Sequence, residues 1–308
     1  MVTASAPGKL ILMGEHAVVF GQPAIALAID LRLSCSATPS RSFSVNGEAL
    51  LERPHSYVLE ALRLAWDSSP VAIRIDSKLP SGSGLGSSAA VTVAALAALL
   101  SLKHSFEEEA VARTGFEVES AVQGRASPID TSTCTHGHGI LIDTRPGEGL
   151  LWHIKKDKRE WYVHHCDVPE MEMVVGYTGI VGHTGPLVAK VKRFAERSRF
   201  GMETIEEIGQ LTSEGLAMLR AGDKVGLGRL MTLNQKLLAI AGVSSPELEK
   251  LIAASQPHSY GAKLTGAGGG GSMIALTDKP SEVCEAIRRR GGVPYLVRTG
   301  ARGVFVSD

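Results

Sequence analysis

The sequence predicts a protein of two domains that mix α-helices with β-strands. Its 308 residues exceed the usual span of one hydrophobic core. Segments with helical spacing of apolar residues alternate along the chain with segments of strand character. A polar segment at 155–160 precedes an apolar strand at 171–177, and we place the domain boundary between them. The predicted domains are residues 1–167 and 168–308, in a mixed α/β or α+β class.

The composition limits the classes of function. Lysine plus arginine and aspartate plus glutamate both number 32, so the formal net charge is zero. This balance argues against a nucleic-acid or membrane-surface role driven by bulk charge. Four scattered cysteines without a C-x-x-C pair favour a reduced protein inside the cell. The first residues do not predict a signal peptide, and we expect a cytoplasmic protein.

In the first domain, each predicted element depends on a local pattern. Residues 71–76 alternate apolar and charged side chains, which is typical of a half-buried strand. Residues 107–122 repeat apolar or small side chains along one helical face. The predicted elements are strands 9–13, 24–33 and 71–76, and helices 55–66, 89–100 and 107–122.

The second domain shows the same alternation. A helix is expected after Ser245, which can cap it, because Pro246 suits the first helical position. Gly291 is expected to end the last helix. The predicted elements are helices 186–198, 203–221, 223–241 and 281–290, and strands 171–177, 260–265, 273–276, 294–298 and 303–306.

The segment from Pro80 to Ala90 joins a strand to a helix through three glycines and two adjacent serines. Glycines allow tight turns and close approach of the backbone to a ligand. Free N–H groups at the start of a helix, together with its dipole, favour an anion such as phosphate. The Walker A pattern is absent, because no Lys-Ser/Thr pair closes the loop. The alternative is an ordinary glycine-rich turn, and the paired serines favour phosphate binding.

A second motif begins at Lys9, which is predicted to open a strand, and ends with Glu15 and His16 after a glycine. Loops that follow strands commonly carry functional residues. Lys9 could neutralise phosphate charge or lower the pKa of a neighbouring acid. The alternative is a solvated lysine and a histidine whose hydrogen bonds are satisfied within the protein.

Two carboxylates form a third candidate group. Glu119 borders the buried stripe of its predicted helix, so it needs a partner. A Mg²⁺ ion would serve, because it prefers carboxylate, hydroxyl and water oxygens. Asp130 follows in what the sequence predicts to be a shaped loop. The alternative for Asp130 is an Asx-turn or a helix cap.

Glycines also mark the segment from Lys263 to Gly271, where four are consecutive. Such a run costs backbone entropy and suggests that another backbone or a ligand approaches closely. A flexible hairpin is the alternative. Thr184 could donate a hydrogen bond to a phosphate oxygen, or simply cap a helix.

These segments together resemble the three motifs of the GHMP kinase superfamily, in the same order along the chain. The sequence from Gly14 to Val19, followed by Gly21 to Ala26, is similar to that of the mevalonate kinases within this superfamily. The compact length resembles the archaeal members. The resemblance implies an N-terminal domain like ribosomal protein S5 domain 2 and a ferredoxin-like C-terminal domain. It implies an active site between these two domains, with ATP and mevalonate as partners. The sequence does not decide between a monomer and a homodimer.

The resemblance also implies a role for each motif residue. Asp130 would be the catalytic base that takes the proton of the substrate's primary hydroxyl, and Lys9 would keep it ionised. Glu119 with Ser87 or Ser88 would hold Mg²⁺, and Glu15, His16 and Thr184 would bind the substrate. The loop expected to bind ATP comprises Pro80, Ser81, Gly82, Ser83, Gly84, Leu85, Gly86, Ser87, Ser88, Ala89 and Ala90. The supporting loop comprises Gly266, Ala267, Gly268, Gly269 and Gly270.

Two alternative functions stay open at this point. One is a related kinase that acts on phosphomevalonate or another small alcohol. The other is a catalytically silent relative that binds a metabolite as a regulator. The presence of Lys9, Glu119 and Asp130 together argues against the silent relative, because a protein that only binds has no need of a base.

Overall fold

The chain folds around two β-sheets, each covered by helices. The computed structural model describes residues 1–124, 126–157, 159–182 and 184–307, without the side chain of Thr184. Among these residues, no helix is both long enough and apolar enough to cross a membrane.

The first half of the chain supplies most of the larger sheet. A 3-10 turn, Ala17–Phe20, follows the first strand. The strands are β1 (Val2–Met13), β2 (Ala24–Pro39), β3 (Ser44–Val45), β4 (Glu48–Ala49), β5 (Val71–Ser77), β6 (Gly139–Asp143), β7 (Leu150–Lys156) and β8 (Arg159–Cys166), and the helices are α1 (Ser56–Ala65), α2 (Ser87–Leu102), α3 (Glu108–Gln123) and α4 (Ile129–His136).

The second half supplies a four-stranded sheet and a longer set of helices. A short 3-10 turn, Gln256–His258, precedes the glycine-rich hairpin. The strands are β9 (Glu172–Tyr177), β10 (Gly261–Thr265), β11 (Ser272–Leu276), β12 (Val293–Arg298) and β13 (Phe305–Ser307), and the helices are α5 (Thr184–Arg197), α6 (Arg199–Ala221), α7 (Lys224–Ile240), α8 (Pro246–Ser255) and α9 (Pro280–Arg289).

The sheets follow the division of the chain with one exception. The larger sheet has the order β4-β3-β5-β2-β6-β8-β7, and β1 pairs with β2. The smaller sheet is antiparallel with the order β10-β11-β9-β12. The exception is β13, which returns from the end of the chain to pair with β1. The boundary near residue 167 stays a prediction.

Helix α2 forms the centre of the first core. Its alanine-rich sequence is apolar on every side, and residues 89–99 are buried apart from Val91. Small side chains allow the helix to pack closely against β1 and β2 on one side and α1 and α3 on the other. This packing fixes the start of α2, which is the end that carries the serine pair.

Most of the predicted elements lie within a few residues of the observed ones, and Ser245 caps α8 by accepting a hydrogen bond from the Leu248 N–H. Two predictions are wrong. Lys9 does not open a strand, because β1 already begins at Val2 and pairs with β2 along its length. Asp130 does not lie in a loop, because α4 begins at Ile129 and places Asp130 in its first turn.

One threonine joins the two halves beside the site. The Thr265 hydroxyl, at the end of β10, accepts a hydrogen bond from the Ile11 N–H at 2.9 Å. The same hydroxyl donates to the Ile11 carbonyl at 3.0 Å. Because a hydroxyl can donate and accept at once, it satisfies both backbone groups of β1 and fixes β10 against them.

Candidate active site

A cleft of about 1370 Å³ runs between the two halves of the chain. The first half contributes β1, the glycine loop before α2, and the ends of α3 and α4. The second half contributes α5 and the turn after β10. Pockets for one small ligand usually measure about 300–1,000 Å³. The cleft therefore has room for a nucleotide beside a second small molecule.

The glycine loop turns sharply to bring the start of α2 into the cleft. Gly82, Gly84 and Gly86 have φ angles of +69°, +80° and +78°, which glycine adopts without strain. A Cβ on Gly86 would lie 2.7 Å from the Lys9 Cγ, so only glycine lets Lys9 pass beside the loop. Helix α2 starts directly after Gly86, and its first N–H groups border the cleft. This end of the helix is suited to an anion.

The residues predicted to bind ATP divide into two sets. The set that lines the cleft comprises Ser81, Gly82, Gly84, Gly86, Ser87 and Ser88. The set that does not line it comprises Pro80, Ser83, Leu85, Ala89 and Ala90. In the second set, the Ser83 hydroxyl donates to the Pro80 carbonyl at 2.7 Å and so shapes the turn.

Lys9 and Asp130 meet at the floor of the cleft. The Lys9 Nζ lies 2.9 Å from Asp130 Oδ1. The lysine side chain is 3% exposed and the aspartate side chain is 28% exposed, so the carboxylate is the accessible partner. Oδ1 is buried against the lysine. The exposed part of the carboxyl group therefore faces the cleft, where a substrate can reach it.

Glu119 lies close by on α3. Its side chain is buried, and the Ser88 hydroxyl donates to Oε1 at 3.5 Å. The pKa of Glu119 is raised to about 8, first by burial and then by the charge of Asp130, while Lys9 and the Ser88 hydroxyl act in the opposite direction. Among the described residues, no group of three histidines, cysteines or acids could hold a metal ion. A cation at Glu119 would therefore take its other ligands from hydroxyls, water or a bound phosphate.

Glu15 and Lys263 form a second ion pair, which closes the gap between the two halves. Both side chains are fully buried, and the lysine Nζ donates to Glu15 Oε1 and to the Leu264 carbonyl, the latter at 2.7 Å. Burial raises the pKa of Glu15 and lowers the pKa of Lys263, while their mutual attraction opposes both shifts. Glu15 Oε2 is buried without a hydrogen-bond partner among the described residues. Glu15 thus lines the cleft, and Lys263 already binds one of its two carboxylate oxygens.

His16 has a strained backbone and a fixed ring. Its φ of +62° is uncommon for a residue other than glycine, and such strain is found preferentially at functional sites. Burial lowers its pKa, so the imidazole is neutral at pH 7. Its Nε2 lies 2.9 Å from the Ala267 carbonyl, which can only accept, so Nε2 carries the proton. Nδ1 is left as a hydrogen-bond acceptor.

The supporting loop after β10 contributes two residues to the cleft, Gly266 and Ala267. Its other glycines pack against the protein instead. A Cβ on Gly268 would lie 2.2 Å from the Val243 carbonyl oxygen, and one on Gly270 would lie 2.9 Å from that of Ile180. Backbone therefore makes the predicted close approach at Gly268 and Gly270, whereas at Gly269 the side chain of Leu187 makes it.

The cleft also contains residues to which the sequence motifs assign no role. Thr184 begins α5, but its side chain lies outside the described residues. The motifs include Lys263 without predicting its pairing with Glu15. They also give no role to Tyr57, Arg159 or Lys192, which line the cleft from α1, β8 and α5. No local pattern marks these three residues, because only folding brings them to the motifs.

The chain is similar to known proteins over its whole length. The family model for the GHMP kinases N terminal domain matches residues 53–138, and the model for the GHMP kinases C terminal domain matches residues 216–292. The mevalonate kinase of Pyrococcus abyssi is 37% identical over 347 aligned residues, which cover 100% of this chain and 98% of that protein. The chain belongs to the GHMP kinase family.

Comparison with solved structures shows that this chain has the fold of the same family. The crystal structure of the Methanococcus jannaschii mevalonate kinase matches with a TM-score of 0.79 and 27% identity, covering 97% of this chain and 98% of that one. The L. major mevalonate kinase, solved in complex with R-mevalonate, matches with a TM-score of 0.81 and 24% identity, covering 97% and 96%. The predicted mixed α/β GHMP kinase fold is confirmed.

Proposed function

We propose that this chain is an ATP-dependent mevalonate kinase, which transfers a phosphoryl group from ATP to the primary hydroxyl of (R)-mevalonate and releases ADP. Relatives that match the whole chain carry this name. The observation that carries the proposal is the Lys9–Asp130 pair at the floor of a cleft lined by the start of α2. A phosphate site beside an accessible carboxylate is what a kinase for an alcohol requires.

Asp130 acts as the general base in this proposal. Its accessible carboxylate accepts the proton of the substrate hydroxyl as the oxygen attacks phosphorus. Lys9 positions the carboxylate by direct contact at 2.9 Å. The first N–H groups of α2 and the glycine loop hold the phosphates and compensate their charge.

Glu119 with Ser87 or Ser88 fits a Mg²⁺ ion. A carboxylate and a serine hydroxyl are ligands that this ion prefers, and it commonly completes its shell with water and substrate phosphates. Among the described residues, only the Ser88 hydroxyl donates a hydrogen bond to this buried carboxylate, at 3.5 Å. When bound, the ion would neutralise charge on the phosphates.

His16 and Glu15 bind the acceptor in this proposal. The Nδ1 of His16 and the unpartnered Oε2 of Glu15 are both hydrogen-bond acceptors, and both residues line the cleft. Mevalonate carries two hydroxyl groups that can donate to them. We assign Thr184 to the same region from the sequence motif alone.

All four cysteines are free, which supports a reducing compartment such as the cytoplasm.

An ADP-release assay tests the proposal against its alternatives. The purified protein is incubated with ATP, Mg²⁺ and one of four acceptors: mevalonate, phosphomevalonate, homoserine or galactose. We expect mevalonate to give the highest kcat/KM, and Asp130→Asn to serve as the inactive control. A higher kcat/KM for phosphomevalonate than for mevalonate would instead identify the chain as the related kinase that acts on phosphomevalonate. Binding of ATP with no ADP release from any acceptor would favour the silent regulator.

A further inference from the structure

The cleft contains three cationic side chains that differ in their partners. Lys9 contacts Asp130 at 2.9 Å, and Lys192 contacts Glu196 on its own helix at 3.5 Å. Arg159 lies within salt-bridge distance of no carboxylate among the described residues, although it lines the same cleft. It is thus the cation of the described cleft wall whose charge is left for a ligand.

Two acids close to Arg159 are already paired with lysines. Glu160, the next residue, contacts Lys155 at 2.7 Å, and Glu117 on α3 contacts Lys156. The hairpin lysines therefore neutralise these two acids, and Asp157, which also lines the cleft, lies beyond salt-bridge distance of Arg159. A guanidinium that faces a cleft without a counter-charge is a binding element for an anion.

Stacking holds the guanidinium in place. Its carbon lies 5.0 Å from the centre of the Trp161 ring, and Trp161 is buried and meets Phe116 edge to face at 5.4 Å. A guanidinium on an aromatic face keeps its N–H donors free at its edges. Arg159 is therefore ordered before any ligand arrives, and little side-chain entropy is lost on binding.

The position of the stack selects one end of the cleft. Trp161 belongs to an apolar cluster that includes Val18 and Ile129, and both of these residues also line the cleft. Val18 follows His16 by two residues, and Ile129 directly precedes Asp130. Arg159 is thus connected, through Trp161 and this cluster, to the residues beside the proposed base and the proposed acceptor site.

We propose that Arg159 binds the carboxylate of the acceptor substrate and so selects an acidic alcohol over a neutral one. This inference depends on the proposed function, because mevalonate has a carboxylate at one end and the reacting hydroxyl at the other. The guanidinium fork matches a carboxylate through two parallel N–H···O bonds. Its location in this chain, at the first residue of β8, makes the β7–β8 hairpin a specificity element.

The test compares two acceptors in wild-type protein and in Arg159→Met. The acceptors are mevalonate and 3-methylpentane-1,3,5-triol, in which a CH₂OH group replaces the carboxylate. We expect the mevalonate KM to rise by about 10- to 100-fold, the usual range for loss of a charged hydrogen bond. The KM values for the triol and for ATP should change by less than about twofold, since neither ligand would use this contact.

Two further variants complete the design. Lys155→Met removes a cation from the same hairpin outside the cleft, and it should leave the mevalonate KM unchanged. Arg159→Lys keeps the charge without the fork, so its mevalonate KM should be intermediate; this variant also serves if Arg159→Met fails to fold.

The outcomes separate the two proposals. A wild-type protein that is active on mevalonate, with a KM that survives both Arg159 substitutions, would overturn the carboxylate assignment alone. An equal loss for mevalonate and the triol would also overturn it, because a general disturbance of the cleft would then explain the effect. A wild-type protein with no activity on mevalonate would overturn the proposed function and the assignment with it.

Discussion

Two ion pairs lie close together in this protein and differ in what solvent can reach. Their members on the first motif, Lys9 and Glu15, are six residues apart. The Lys9–Asp130 pair keeps its carboxylate 28% exposed in the cleft, whereas the Glu15–Lys263 pair is fully buried. A partly open pair can exchange a proton with a substrate, whereas the closed pair fixes β10 beside the first motif and leaves only Glu15 Oε2 to accept a hydrogen bond. Burial therefore separates the reacting pair from the joining pair, although their chemistry is the same.

The buried pair brings specificity of assembly more than net stability. Removing two charges from water costs several kcal/mol, which the attraction between them roughly offsets. Loss of one partner is a different matter, because the other is left buried without compensation. The Glu15–Lys263 pair, with the Thr265 hydroxyl on Ile11, thus favours one relative position of the two halves over others.

The largest effect is expected from the open pair. Asp130→Asn keeps the shape of the side chain but removes the proton acceptor, so turnover should fall by about 10²-fold or more. Nucleotide affinity should stay near the wild-type value, whereas the melting temperature should fall, because the buried Lys9 loses its counter-charge. The measurements are kcat with mevalonate, ATP binding by calorimetry and a melting curve. Turnover close to wild type would remove Asp130 from the role of base.

The closed pair should show the opposite pattern. Lys263→Met leaves Glu15 buried without its cation, so the free energy of unfolding should fall by about 3–5 kcal/mol. Glu15→Gln combined with Lys263→Met should cost less than the sum of the two single variants, since the uncompensated charge is gone. Urea denaturation of the four proteins measures this coupling. Strictly additive losses would show that the pair does not act as a unit.

Glu119 offers a third case, a buried acid without a lysine of its own. Burial raises its pKa to about 8, so near neutral pH a proton must leave before a cation binds. The Mg²⁺ concentration for half-maximal activity should therefore fall as pH rises from about 6.5 to 8, and then level off. Glu119→Gln should need more Mg²⁺ and lose this dependence on pH. An identical Mg²⁺ titration in both proteins would make Glu119 a structural residue only.

The sequence predicts the elements with strong apolar patterns, and it predicts the motif residues better than their environment. Helix α2 is uniformly apolar, and β5 alternates cleanly, so both are found. Helix α4 is not, because its serine and threonine side chains compete with the backbone for hydrogen bonds and mask its helical character. The Glu15–Lys263 pair and the placement of Arg159 are not visible in the sequence, since they join residues far apart along the chain.

The smallest effect is expected at His16, beside the closed pair. Its ring is neutral and donates through Nε2 to the Ala267 carbonyl, so Nδ1 can accept from a substrate hydroxyl. A single neutral hydrogen bond contributes about 0.5–1.5 kcal/mol, so His16→Ala should raise the mevalonate KM by about 2- to 10-fold. The ATP KM should stay within about twofold.

His16→Asn is the matched variant for that test, because its amide can both donate to Ala267 and accept from the substrate, and it should recover part of the loss. A rise in the ATP KM with normal mevalonate kinetics would assign His16 to the nucleotide side of the cleft. In that case only Glu15, of the Glu15–Lys263 pair, and Arg159 would remain as proposed binding residues for the acceptor.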